Sequence, residues 1–85
     1  MIVGHKIKLD TFEKVKKFIS IVDKFENDVD IISGRYLVDA KSVMGIFSLD
    51  LTRPLTVIIH DASMKDVSQL EELMEEFRVD EVWKY

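Results

Sequence analysis

The sequence predicts an α+β domain in which two amphipathic helices cover one face of a four-stranded antiparallel sheet, in the order β-α-β-β-α-β-α. Three observations lead there. The hydrophobic period changes from two residues to three and four near Asp10, and helical spacing starts again at Ser63. Two short extended runs meet at Gly34, and Leu55-Thr56-Val57-Ile58-Ile59 is β-branched and almost continuously apolar, as a buried central strand should be.

Val3, His5, Ile7 and Leu9 alternate with Gly4, Lys6 and Lys8, which suits a half-buried first strand. From Asp10, Phe12, Val15, Phe18, Ile19, Val22 and Phe25 line one face of a helix, with Asp10 or Thr11 as cap and Glu13 suited to the positive end of its dipole. After Glu26-Asn27-Asp28, Val29 to Ser33 and Tyr36 to Asp39 form a hairpin turning at Gly34. Ser42 then caps a brief helix carrying Val43, Met44, Ile46, Phe47 and Leu49, and Pro54 limits its continuation before the central strand. Ser63-Met64-Lys65-Asp66 is a capping-box start, followed by Val67, Leu70, Leu73, Met74 and Phe77 on one helix face. Arg78 to Tyr85 contains Val79, Val82, Trp83 and Tyr85, too apolar for a free tail, so this end is expected to dock on the body, its secondary structure left open. No repeat or linker divides the chain, and residues 1–85 read as a single domain.

Composition narrows the functions. At 85 residues there is room for one core but not for a deep enclosed cavity, so any site belongs on the surface. A net charge of −4 gives no global basis for nucleic-acid binding, and the one tight basic cluster, Lys14, Lys16 and Lys17, reads as a solvated helix face. The absence of cysteine removes disulfides and thiolate metal sites; no metal or cofactor is expected. The apolar run at Met1-Ile2-Val3 is too short for a signal peptide or a membrane span, so the expected location is cytoplasmic.

One segment is specific. Ala40-Lys41-Ser42-Val43-Met44-Gly45-Ile46-Phe47-Ser48-Leu49 is similar to the regulatory-serine motif of the HPr family, the phosphocarrier proteins of the bacterial sugar phosphotransferase system. In that motif a serine precedes two apolar residues, a glycine, two more apolar residues and Ser-Leu. The element order and length also resemble HPr, which implies an HPr-like open-faced β-sandwich over nearly the whole chain. The family's other signature, a phosphorylatable histidine opening the first long helix in a Gly-x-His-x-Arg-Pro-like motif, is missing. Counting back from Ser42 puts Thr11 at the histidine position, Glu13 at the arginine position and Lys14 at the proline position. A helix N-terminus with an arginine beside it attracts a phosphoryl group; Glu13 reverses that charge, and a threonine hydroxyl is a weak nucleophile.

The resemblance therefore implies a non-catalytic HPr-like protein, similar to the catabolite-repression HPr-like proteins that lack the histidine and keep the serine. Ser42 is the expected site of regulatory phosphorylation, with an HPr kinase/phosphorylase or a transcriptional regulator as implied partners. Val43, Met44 and Phe47 occupy positions that expose an apolar patch to protein partners in that family. Thr11 and Glu13 mark the degenerate phosphocarrier site. Two alternatives stay open: a phosphocarrier using a relocated histidine, His5 or His60, and a purely structural interaction subunit. Each histidine lies in or at the end of a strand without a phosphate cradle, so a structural role is favoured for both. The pairs Glu71-Glu72 and Glu75-Glu76 read as solubilising charge on a polar helix face.

Overall fold

Alternation of apolar and polar residues sets each strand with one face inward. A computed structural model describes residues 3–79 and 83–84. Its elements are β1 (Val3–Ile7), α1 (Phe12–Val22), β2 (Val29–Ser33), β3 (Tyr36–Asp39), α2 (Val43–Phe47), β4 (Leu55–Ile59), α3 (Met64–Met74) and β5 (Trp83–Lys84). The sheet order is β3-β2-β4-β1-β5, every neighbouring pair antiparallel. The central position of β4 is the one its apolar run predicts.

Register defines the two faces. His5, Val57, Ile31 and Val38 lie directly opposite one another across β1, β4, β2 and β3, and Ile7 lies opposite Leu55. These residues face the helices. Lys6, Thr56, Ile32 and Leu37 form the matching row on the open face, beside Gly4, Ile58, Asp30 and Asp39. The inner face packs against Val15, Phe18, Ile21 and Val22 of α1 and Val67, Leu70 and Met74 of α3, with Phe18 and Phe77 meeting edge-on at 6.2 Å. Such a T-shaped pair adds a directional term to the area that the rings bury.

Four details depart from the sequence expectation. Phe25 and Phe77, placed on helix faces by their spacing, lie past the ends of α1 and α3. Tight turns nevertheless fold both inward, Phe25 N–H donating to Val22 O and Phe77 N–H to Met74 O, and both are buried. Phe12, expected on the core face, is 58% exposed: it is the first residue of α1, and its ring lies against Phe47 of α2 rather than in the core. The first strand stops at Ile7, though Leu9 is still fully buried. The chain after α3 returns along β1: Lys8 N–H donates to Phe77 O, Val79 N–H to Lys6 O, and β5 then pairs with Val3 and Gly4. The four expected strands thus gain a two-residue fifth beside β1, while Val82 and Tyr85 lie outside the described residues.

Caps close the helices as the sequence predicts. Thr11 Oγ1 accepts the Lys14 N–H at 3.1 Å, and Ser63 with Asp66 forms a complete capping box. The Ser63 backbone N–H and hydroxyl hold the Asp66 carboxyl below its ordinary value of 3.8, helped by the Asn27 amide and Lys65. A folded pKa below the unfolded one means stabilisation that is fully present above the unfolded pKa and is lost as pH falls through the folded value. Acid titration of Asp66→Asn should therefore show a shallower loss of stability below pH 3.8 than the parent does. At neutral pH, chemical denaturation of Ser63→Ala should show a loss of about 1 kcal/mol.

Candidate functional site

The start of α1 and the whole of α2 meet at one end of the helical layer. Ser42 caps α2, its Oγ accepting the Gly45 N–H at 3.1 Å, while Ser48 closes the other end by donating from its hydroxyl to Gly45 O. Gly45 lets α2 lie close on β3: a Cβ there would stand 3.3 Å from the Val38 Cβ and 3.2 Å from Ser42 Oγ. Ile46 anchors the inner side of α2, fully buried. Its outer side presents Val43 at 50%, Met44 at 85% and Phe47 at 46% exposure.

Phe12 extends this surface across to α1. Its ring stacks on Phe47 with centroids 6.0 Å apart and planes inclined by 24°, and Lys16 Nζ lies 5.4 Å from the Phe12 centroid. The apolar patch is thus larger than Val43, Met44 and Phe47, and it carries a cation. Sequence reading missed both additions because Phe12 fits the core-facing helical period; its place directly after the Thr11 cap, in the first turn of the helix, was the available signal.

The α1 N-terminus is closed by its own residues. Thr11 is committed to capping, and Lys14, the nearest cation, bonds Asp10 Oδ1 at 2.9 Å. That hydrogen bond is the main reason the Asp10 carboxyl sits below the ordinary carboxylate value. Glu13, at the arginine position of the phosphocarrier motif, is in the first turn, so the carboxylates of Asp10 and Glu13 lie on either side of Thr11, at the histidine position. The basic cluster lies on a solvent-exposed helix face, as expected, and also makes surface contacts: Lys14 pairs with Asp10, Lys17 with Glu76 at 3.0 Å, and Lys16 lies over Phe12. Glu75 pairs with Arg78 at 3.2 Å, so the acidic stretch of α3 also makes local ion pairs.

The histidines lie on opposite faces of the sheet. His5 is fully buried on the inner face opposite Val57. His60 follows β4, and its Nε2 lies 2.8 Å from Asp30 Oδ2. An open cleft of about 340 Å³ there is lined by Asp28, Val29, Asp30, Asp39, His60 and Asp61, and its carboxylates would repel a phosphoryl group. Among the described residues, no group of three His, Cys, Asp or Glu side chains is placed to hold a metal ion, and no helix is long and apolar enough to cross a membrane.

This arrangement belongs to a known architecture. Phosphocarrier protein HPr from Bacillus anthracis str. Ames superposes with a TM-score of 0.67 at 22% identity, over 91% of this chain and 98% of that one. HPr-C-His from Thermoanaerobacter tengcongensis gives 0.66 at 26% identity, over 89% and 92%. The fold is HPr-like. No family model matches the chain, and no curated protein matches it.

Asp61, next to His60, has φ +53°, in the left-handed region that costs an L-residue about 1–2 kcal/mol. Asn27 Nδ2 holds this turn by donating to His60 O at 2.9 Å and Asp61 O at 3.2 Å. Thermal or denaturant unfolding should find Asp61→Gly within about 0.5 kcal/mol of the parent and Asp61→Val destabilised by more than about 1 kcal/mol.

Proposed function

We propose that the chain is a non-catalytic HPr-like protein that acts as a regulatory, protein-binding module through the Ser42 to Leu49 surface. The observation that carries this reading is the continuous exposed patch of Phe12, Val43, Met44 and Phe47, joined by the Phe12–Phe47 stack and seated on a buried Ile46. An exposed apolar cluster built from two elements favours a partner that covers it, and methionine adapts to irregular contact surfaces. Regulation by phosphorylation of Ser42 belongs to the same proposal. A phosphate there can accept the Gly45 N–H that the serine oxygen now serves, adding charge at the rim of the patch without refolding the helix. An HPr kinase/phosphorylase or a transcriptional regulator is the partner we propose.

Phosphocarrier chemistry is disfavoured at every available position. Thr11 is a cap flanked by Asp10 and Glu13, His5 is sealed in the core, and His60 faces an acidic cleft. Incubation with phosphoenolpyruvate and enzyme I, followed by mass spectrometry, should find no phosphate between Asp10 and Lys14. Thr11→His alone should transfer little, and combination with Glu13→Arg and Lys14→Pro should transfer more. Full transfer by the single variant would show that the surrounding charge does not matter.

Docking is tested directly. Met44→Glu and Phe47→Glu should each weaken binding of a partner, HPr kinase/phosphorylase first, by more than about 1 kcal/mol if that side chain is an anchor, read by calorimetry on folded protein. Glu72→Lys on α3 is the control and should leave binding unchanged. Retention of binding by both patch variants would remove this surface from consideration.

A further inference from the structure

The sheet ends on one side at β3, and among the described residues no strand pairs with its outer edge. Ala40 N–H donates to Val29 O, which fixes the antiparallel alternation: Ile31 with Val38 and Ser33 with Tyr36 exchange backbone bonds, while Ile32 faces Leu37, and Asp30 faces Asp39, without them. The N–H and C=O of Leu37 consequently point out of the sheet edge. Leu37 is 63% exposed and its neighbour Tyr36 66%, an unusual pair of large side chains for an open edge strand.

We propose that two copies of this chain associate through antiparallel β3–β3 pairing about a two-fold axis at Leu37, making one continuous sheet. In this register Leu37 exchanges both backbone bonds with Leu37 of the second copy, Tyr36 lies against Val38, and Arg35 lies against Asp39. The charge pattern is complementary to itself only in this arrangement of the edge. The Arg35 side chain makes no ion pair among the described residues, and the carboxylate of Asp39 accepts only the Lys41 N–H. Asp39 also stands directly opposite Asp30 across the ladder, and Asp30 already has a side-chain partner in His60, whose Nε2 lies 2.8 Å from its Oδ2. Like charges directly opposed on a sheet are destabilising. Arg35 of the second copy would occupy the next position in that row and supply the missing positive charge, twice per dimer. Beside it, Ile32 and Leu37 of each copy would form an apolar row across the axis.

A four-residue strand makes a contact below the size of stable interfaces, so association is expected at about 0.1–1 mM. Sedimentation equilibrium on the full chain from about 10 μM to about 2 mM should show the mass rising from 9.9 kDa toward twice that value. The Leu37 amide should become protected from hydrogen exchange over the same range. Arg35→Asp and Asp39→Arg should each lower the association constant by about tenfold or more, and the double variant should recover it. Recovery separates charge from any disturbance of the Lys41 turn, and Arg35→Asp, in the exposed hairpin turn, reads the charge term even where Asp39→Arg does not fold. Leu37→Lys, which sets two cations against each other on the axis, should abolish dimers. A monomer throughout the range, or a dimer indifferent to these variants, overturns the proposal; neither result bears on the α2 surface.

Discussion

The pairing of β4 with both β1 and β2 is the constraint on which the rest of the molecule rests. β1 and β2 never touch as strands; each meets β4 instead, Ile59 lying opposite both Val3 and Val29. Without β4 the sheet would fall into a β2–β3 hairpin and a detached β1. With it, α1 must cross over β4 to join β1 to β2, and α2 must cross over β2 to join β3 to β4. Both crossovers lie on the face where Leu55, Val57 and Ile59 are buried. That face therefore acquires all three helices, and the functional surface forms where the first crossover begins and the second lies against Val38.

This dependence explains what was legible in the sequence. The run Leu55 to Ile59 shows its central place without any partner being known, because only a strand flanked on both sides can use five such residues. Periodicity also located α1 and α3 and their caps, since Thr11, Ser42 and Ser63 act on backbone groups three residues away. Less legible were the groups whose environment is set by distant chain. Phe12 has the spacing of a core residue and lies outside the core, because helical period reports direction around an axis and not what packs against each turn along it. The edge position of Trp83-Lys84 depends on β1 having a vacant side, which no local pattern states. At the candidate site, sequence identified Ser42, Val43, Met44 and Phe47 through a resemblance, while the ring stack that unites two elements into one patch needed coordinates.

The start of α1 illustrates how one backbone feature serves two incompatible ends. Unpaired N–H groups at a helix N-terminus can receive a phosphoryl group or a side-chain cap. Here Thr11 takes the cap, Asp10 takes Lys14, and Glu13 adds its charge to the same turn. The Thr11 cap takes up one of the free N–H groups, while the carboxylates of Asp10 and Glu13 favour the isolated helix through its dipole and raise the electrostatic cost of an incoming anion. The start of α2 differs. Ser42 also caps, but no acidic residue occupies its first turn, so added phosphate there meets no opposing carboxylate within the helix.

The two sides of the sheet treat their edges in opposite ways, and the difference is informative. Beside β1, residues 77–79 and 83–84 occupy the backbone groups that would otherwise invite pairing. Beside β3 no strand among the described residues does so, yet β3 lacks the usual protections: it has no proline, and Leu37 stands where a lysine commonly guards an edge. Its charges at positions 35 and 39 instead discriminate among pairings. In-register parallel pairing would set Arg35 against Arg35 and Asp39 against Asp39, and an antiparallel slip by one residue would leave both without a counter-ion and turn Leu37 away from its equivalent. Two charges spaced symmetrically about an apolar centre thus penalise many wrong edges and admit one right one, which is how specificity arises from a short strand with little area to bury.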